Sequence, residues 1–167
     1  RVVQNTTERH NRSAFIPRQF EQPALIEDYL PGEEYTVLMI GNGEDQIFIP
    51  GVVTVKGGNN GKFPILRSDM RGVGITKIGI PEHSAEAAVA LCIEAVAVLN
   101  CLDHVRVDMR FDAHGTLKII EVNGIPGLKP IKSWSPQMFT LYNKSPEGPL
   151  EDYRLLLNKI VDSAFKL

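Results

Sequence analysis

A chain of 167 residues is long enough for one domain or for part of a larger protein, and 43% hydrophobic residues are ordinary for a soluble globular fold. The net charge of −2 is spread without long blocks of like charge, which argues against a polybasic membrane anchor and against a basic surface for nucleic acid. No stretch of about eighteen apolar residues and no signal peptide is present, so we expect a cytoplasmic protein without membrane or nucleic-acid partners.

The first 22 residues are polar and show no sustained hydrophobic period, which predicts a loop with at most one helical turn. The segment begins at Arg1, without an initiator methionine. We therefore expect residues 1–22 to be the remnant of a missing upstream part and residues 23–167 to be the domain itself.

Three strand patterns follow, at residues 24–30, 33–41 and 46–56, and each is rich in apolar or β-branched residues. Short turn sequences, Pro-Gly and Gly-Asn-Gly, separate them, as in a meander of antiparallel strands. Pro50 and its following glycine interrupt the third pattern, which predicts a sheet edge or a β-bulge at that point.

Residues 57–79 form the longest stretch without a period, and they begin with the sequence Gly-Gly-Asn-Asn-Gly. A connection of this length is unusual in a compact domain, where such segments often serve as lids over a binding site. Simple loop mobility explains the composition equally well, so the sequence leaves both interpretations open.

Residues 84–100 carry the clearest helix pattern, with Ser84 as the expected N-cap and strong helix formers that are apolar nearly all round. We expect this helix to be largely buried against the sheet. Cys92 and Cys101 have no partner at metal-binding spacing, which favours two buried thiols over a disulfide or a zinc site. Residues 136–142 predict a short helix, and residues 150–167 predict a longer one with an apolar stripe for the core.

The polar residues of greatest interest lie on two strands between residues 104 and 132, which are joined by an Asp-Ala-His-Gly turn. Arg106 and Asp108 are two apart on the first strand, and Glu121 and Asn123 are two apart on the second, so each pair shares a face. If the strands pair through the turn, all four side chains converge. Such a set suits a divalent cation that carries a phosphate, whereas the alternative is a set of solvated carboxylates with a surface ion pair.

The order of these features resembles the C-terminal ATP-grasp domain of D-alanine–D-alanine ligases. The resemblance covers residues 24–167 and is carried by Glu-x-x-Leu-x-Gly-x-Glu from Glu27 to Glu34, by Arg-x-Asp at Arg106, and by Glu-x-Asn-x-x-Pro-Gly from Glu121 to Gly127. It implies an α+β fold of the ATP-grasp type, with an antiparallel β-sheet packed with helices.

The resemblance also implies how the nucleotide is held. Glu27 matches the residue that binds the adenine amino group, and the backbone around Tyr29 and Leu30 matches the lining of the base. Glu34 falls where the family binds the ribose hydroxyls. The implied nucleotide is ATP.

At the other end of the implied site, Asp108 and Glu121 match metal-binding carboxylates, and Asn123 matches an amide ligand of the second of two Mg²⁺ ions, for which Mn²⁺ can substitute. Arg106 matches the arginine that stabilises the transferred phosphoryl group. Gly127 matches a backbone amide of the oxyanion site. Charge neutralisation and positioning of this kind are what phosphoryl transfer requires.

Two positions depart from the family pattern. Where the family has a lysine over the γ-phosphate, the nearest candidate by position is Arg71. After Pro126-Gly127 the family has a serine-rich segment that contacts the substrate carboxylate, and here Lys132 and Ser133 are the candidates. The lysine-bearing strand and the glycine-rich phosphate loop that precede the adenine site in the family are not found.

The leading hypothesis is therefore an ATP- and Mg²⁺-dependent carboxylate–amine ligase, resembling the D-alanine–D-alanine ligases that make a peptidoglycan precursor through an acylphosphate. Its partners would be small molecules such as an amino acid, with a homodimer for the full-length protein. The alternatives are an ATP-grasp ligase for another acid and amine, or a nucleotide-binding module without catalysis. We expect the 167-residue chain by itself to have little or no ligase activity, because a partly assembled site loses the positioning that catalysis needs.

Overall fold

The computed structural model describes residues 2–55 and 76–166, and it divides the chain into two compact units, Arg1–Leu30 and Pro31–Leu167. Residues 57–75 lie outside the described residues. They make up most of the stretch for which the sequence left two interpretations open, a lid and a mobile loop. The two units are described in turn.

The first unit contains one helix, α1 (Thr6–Phe20), so the loop predicted for the N-terminal segment is wrong. The helix begins with two reciprocal hydrogen bonds. The Asn5 side chain accepts from the backbone N–H of Glu8 at 2.8 Å, and the Glu8 carboxylate accepts from the backbone N–H of Gln4 at 3.0 Å. The first bond satisfies a backbone donor that the first turn leaves unpaired, and the second fixes the residue before the N-cap. The strand predicted for residues 24–30 is also wrong, since no strand forms there and two of its apolar side chains are exposed.

In the residues that the structure describes, the second unit is built on an antiparallel sheet of five strands in the order β3-β2-β1-β4-β5. The strands are β1 (Glu34–Ile40), β2 (Ile47–Val55), β3 (Thr76–Gly79), β4 (His104–Phe111) and β5 (Leu117–Asn123). The structure confirms the antiparallel sheet of an α+β fold, although it corrects the end of the predicted loop, because residues 76–79 form strand β3.

The predicted interruption of the third strand pattern has a local explanation. Pro50 lies in β2 opposite Val37 of β1, and among the described residues the pairing of β2 with β3 begins at Val52 and runs to Val55. Proline lacks a backbone N–H, so it is tolerated where one side of a strand has no ladder to support. Pro50 thus occupies a local edge of a strand that lies inside the sheet.

Helices cover both faces of the sheet: α2 (Ala85–Val98) lies on one, and α3 (Trp134–Asn143) and α4 (Pro149–Ala164) lie on the other. Odd-numbered residues of β1 and β4 pack against α2, whereas even-numbered residues of β1 contribute to the core beneath α3 and α4. This alternation assigns Arg106 and Asp108 to the face of α3 and α4.

The helix α2 corrects two expectations. Only Ala88, Cys92 and Val96 are buried, while Val98 is 79% exposed, so the helix buries one face rather than its whole surface. Ser84 stands at the N-cap position with a φ of 58° and makes no capping hydrogen bond through its side chain.

Both cysteines are free thiols, and the burial that the sequence predicts for both is found at Cys92 but not at Cys101. Cys92 is fully buried, and burial raises the pKa of its thiol to about 12, whereas Cys101 is half-buried. Within the described ranges, no helix combines the length and the apolar character needed to cross a membrane.

Candidate functional site

A β-bulge decides which polar residues share a face of the β4–β5 hairpin. From the turn the strands pair Phe111 with Leu117 and Met109 with Ile119, but the next pair is Asp108 with Glu121, so Ile120 is an extra residue. Without this insertion Glu121 would face away from Asp108, because a shift of one residue moves a side chain to the opposite face. The bulge therefore brings Glu121 and Asn123 beside Asp108 and Arg106, and the pairing of the two strands predicted from the sequence is confirmed.

Asp108 is the centre of the resulting cluster, and its carboxylate accepts four hydrogen bonds. Oδ1 accepts from the Thr36 hydroxyl at 2.7 Å and from Arg106 Nε at 2.8 Å. Oδ2 accepts from a terminal nitrogen of Arg106 at 2.7 Å and from Asn123 Nδ2 at 3.2 Å. A carboxylate offers about four lone-pair positions, so every acceptor position of this buried group is occupied.

Arg106 is held on two sides. Its guanidinium forms the two-point ion pair with Asp108, and the guanidinium carbon lies over the ring of Trp134, 4.8 Å from the ring centre. The Arg106 side chain is only 15% exposed, a setting in which both contacts are stronger than on an open surface. The position and the plane of the guanidinium are therefore both defined.

A second ion pair lies next to this cluster on the same face. Glu34 of β1 is opposite Arg110 of β4, with 3.7 Å between its carboxylate oxygen and a terminal nitrogen of the arginine. Burial raises the pKa of Glu34, and the positive charge of Arg110 offsets part of that rise. Arg110 Nε also donates to the backbone carbonyl of Gly32 at 2.8 Å, which ties β4 to the segment before β1.

The residue types of the predicted metal site fit a hard divalent cation, which prefers carboxylate and amide oxygens. Glu121 is exposed and Asn123 is half-buried beside Asp108. Within the described ranges, residues 2–55 and 76–166, there is, however, no group of three or more His, Cys, Asp or Glu side chains that could hold a metal. For Asp108 to join Glu121 and Asn123 as a ligand, at least one of its present donors has to leave.

The predicted oxyanion and substrate residues lie together after β5. A side chain on Gly127 would bring its Cβ to 2.9 Å from the Ser133 hydroxyl oxygen, and that oxygen accepts from the backbone N–H of Lys129 at 3.0 Å. Lys132 is exposed, and its carbonyl accepts from the Gln137 side chain at 2.9 Å. Ser133 is also the N-cap residue of α3, the helix that supplies Trp134, so this segment adjoins the Arg106 cluster.

The predicted adenine residues belong to the first unit. Glu27 is exposed, Tyr29 and Leu30 are half-buried, and all three lie outside any helix or strand. Arg71 lies outside the described residues. The roles implied for these four residues remain predictions.

Sequence reasoning missed two residues of the cluster, Thr36 and Trp134. Thr36 is fully buried, and the alternation of β1 places it on the same face as Glu34. That alternation was a usable signal for Thr36, although its partner Asp108 is 72 positions away along the chain. Trp134 had no such signal, because its contact with Arg106 depends on how α3 is seated on the sheet.

Comparison with known proteins gives a consistent result. The sequence model described as "D-ala D-ala ligase C-terminus" matches residues 2–142. A D-alanine–D-alanine ligase of Pelotomaculum thermopropionicum is 30% identical over 111 residues, which cover 65% of this chain and 34% of that protein. The chain spans less than half the length of the curated relatives it matches.

Solved structures share the fold at low sequence identity. A D-alanine–D-alanine ligase from Bacillus anthracis, complexed with ATP, gives a TM-score of 0.62 at 20% identity and covers 95% of this chain and 46% of that one. The VanG D-Ala:D-Ser ligase from Enterococcus faecalis gives 0.63 at 19% identity and covers 92% and 43%. The ATP-grasp-type fold predicted from the sequence is confirmed by these neighbours.

Proposed function

The chain belongs to the family of the D-alanine–D-alanine ligase C-terminus, and on that premise we propose that it is the phosphate- and metal-binding part of an ATP-dependent carboxylate–amine ligase. In the proposed reaction, a carboxylate oxygen attacks the γ-phosphorus of ATP, the bond to the β,γ-bridging oxygen breaks, and ADP leaves. An amine then attacks the acyl carbon, loses a proton, and expels inorganic phosphate to form an amide. We propose that residues 23–167 form the ATP-grasp part, and that the reaction takes place in the cytoplasm, where ATP is available.

The observation that carries this proposal is the convergence of Arg106, Asp108, Glu121 and Asn123 on one face of the β4–β5 hairpin. Phosphoryl transfer asks little covalent chemistry of a protein and depends on positioned charge. Arg106 supplies a buried cation whose donors, now paired with Asp108, suit an oxyanion, and Gly127 is exposed beside the Ser133 hydroxyl. Two Mg²⁺ ions, bound by the two carboxylates and the amide, would neutralise charge on the triphosphate.

The substrate class rests on different residues. We propose D-alanine as the acid and the amine, which would make the product a peptidoglycan precursor, with Lys132 and Ser133 near the substrate carboxylate and Arg71 toward the γ-phosphate. An ATP-grasp ligase for another pair is the second candidate, and it is favoured by the lysine at position 132. The VanG neighbour is described as a D-Ala:D-Ser ligase, so related folds accept more than one amine.

A nucleotide-binding module without catalysis is the candidate from a different class. ADP release on addition of D-alanine by the 167-residue chain would exclude it and would refute our expectation of little or no activity.

The central test is nucleotide binding that depends on Mg²⁺. ATP affinity would be measured by calorimetry, with Mg²⁺ or with a chelator, in the wild type and in the double variant Asp108→Asn with Glu121→Gln. A matched control, Glu94→Gln with Asp162→Asn, removes the same charges from exposed helix positions. We expect the first variant to lose the Mg²⁺-dependent part of binding and the control to keep it, and equal affinity in all three proteins would refute the proposal.

A further inference from the structure

The four hydrogen bonds on Asp108 limit how a cation can reach it. Two come from Arg106, one comes from Thr36 and one from Asn123, and together they fill both carboxylate oxygens. A cation that coordinates Asp108 has to replace at least one of these donors. Coordination and the present hydrogen bonding of this residue are therefore alternatives.

Arg106 is the donor that a cation displaces most readily. It carries a positive charge, so a divalent ion at the Asp108 carboxylate repels it, whereas Thr36 and Asn123 are neutral. The Asn123 amide can also turn its oxygen toward a cation, which converts a competitor into a ligand. Once the guanidinium leaves the carboxylate, its described contact in the site is the ring of Trp134.

Trp134 is well placed to keep that contact. It opens α3, and the next turn of the helix is anchored by Met138 and Phe139, which are buried in the core of the sheet. The carbonyl of Ser133, immediately before the ring, accepts from the backbone N–H of Gln137 at 3.2 Å. The ring is thus attached to a fixed support that does not depend on Asp108.

We propose that Trp134 is a positioning residue that holds Arg106 in the site when the Asp108 carboxylate coordinates a divalent cation. The guanidinium carbon lies over the ring at 4.8 Å, and a cation–π contact of this kind does not need the N–H groups that now bind Asp108, so these can turn from the carboxylate to a phosphate oxygen. The inference rests on the proposed function for its ligands, but the contact that it assigns can be tested without them.

The first test uses the fact that Trp134 is the sole tryptophan of the chain. Quenching of its fluorescence by acrylamide reports how well the ring is covered. Asp108→Asn removes the charge that pairs with Arg106, whereas Arg106→Met removes the guanidinium. We expect the Asp108→Asn ring to stay as protected as in the wild type and the Arg106→Met ring to lose protection, with circular dichroism as the check that both variants fold.

Two outcomes of that test overturn the inference. If Asp108→Asn exposes the ring as much as Arg106→Met does, the stacking depends on the ion pair and Trp134 does not hold Arg106 by itself. If Arg106→Met leaves the ring as protected as in the wild type, the guanidinium does not cover it.

The second test separates positioning from a structural role. ATP binding would be compared in Trp134→Leu and in Trp134→Phe, which keeps an aromatic face. With Mg²⁺ present we expect Trp134→Leu to bind about fivefold more weakly, equivalent to ~1 kcal/mol of stacking, and Trp134→Phe to retain most of the affinity. With a chelator present the leucine variant should match the wild type, because Asp108 then still holds Arg106.

An equal loss with and without Mg²⁺ would mark a structural role and overturn the inference, as would unchanged Mg²⁺-dependent binding in Trp134→Leu. Absence of Mg²⁺-dependent binding in the wild type would instead refute the proposed function. In that case the fluorescence result still decides whether Trp134 holds Arg106.

Discussion

The hydroxyl of Thr36 should make a measurable contribution to stability through Asp108. Thr36 is fully buried, and its hydroxyl donates at 2.7 Å to a carboxylate whose side chain is only 10% exposed. A hydrogen bond to a charged group contributes ~1.5–3 kcal/mol, and Thr36→Val removes the donor while keeping a side chain of similar shape. Because Asp108 keeps its other three donors, we expect a loss of ~2 kcal/mol in the free energy of unfolding, measured by urea denaturation at neutral pH.

The chain offers a matched control on the neighbouring strand. Thr54 of β2 is exposed and donates at 3.2 Å to the neutral backbone carbonyl of Lys77. Thr54→Val makes the same chemical change within a strand of the same sheet, and we expect a change of no more than ~0.5 kcal/mol. If the two variants lose equal stability, or if Thr36→Val is the more stable of the two, the Thr36 hydroxyl does not support Asp108 and the reasoning fails.

Three further predictions concern the same unit. Arg106→Met should lower the free energy of unfolding by ~3–5 kcal/mol, because it leaves the buried Asp108 charge without its ion pair. The double variant Arg106→Met with Asp108→Asn should lose less stability. A double-mutant cycle, measured by urea denaturation, checks both expectations. Burial and the nearby charge of Arg106 lower the pKa of His104 to about 4 from 6.5, so the unfolded chain takes up a proton first as the pH falls. The free energy of unfolding should therefore decrease by ~3 kcal/mol as the pH falls from 6.5 to 4. Thermal denaturation at a series of pH values measures this decrease, and His104→Leu should remove it. Gly32→Ala should lower the free energy of unfolding by ~2 kcal/mol or more, as measured by thermal denaturation, because its Cβ would lie 2.5 Å from the Cβ of Phe111, the last residue of β4. A Cβ on Gly124 meets no described residue within 4 Å, so Gly124→Ala should stay within ~0.5 kcal/mol of the wild type in the free energy of unfolding by the same thermal denaturation.

The elements that could be predicted from the sequence are those with a strong local pattern. Strands β1 and β2 alternate or run apolar between glycine turns, and α2 is dense in helix formers, so each is found near its predicted place. The helix α1 was missed because none of its residues is buried, and its main signal is the capping pair of Asn5 and Glu8. The strand β3 has four residues, which is too short for a period to be recognised.

The extent of burial was harder to predict than the type of element. The sequence of α2 is apolar nearly all round, yet the structure buries one face of it. Alanine exposes little apolar surface, so an alanine-rich helix can face solvent at small cost, and composition alone overstates how much of it the core covers. The opposite case is Asp108, a charged residue that is 7% exposed because four donors satisfy it.

The side chains that form the site could be named from the sequence, but their common face could not be derived from strict alternation. Counted back from the turn, an unbroken hairpin would set Glu121 opposite Val107, in the core beneath α2, where an unpaired carboxylate is costly. The extra residue at Ile120 avoids that cost and places Glu121 opposite Asp108 instead. The register of this hairpin therefore meets two requirements together. Val107 and Val122 pack on the side of α2, and Asn123 reaches the opposite face, where its amide donates to Asp108. A bulge is the smallest change to an antiparallel pair that satisfies both.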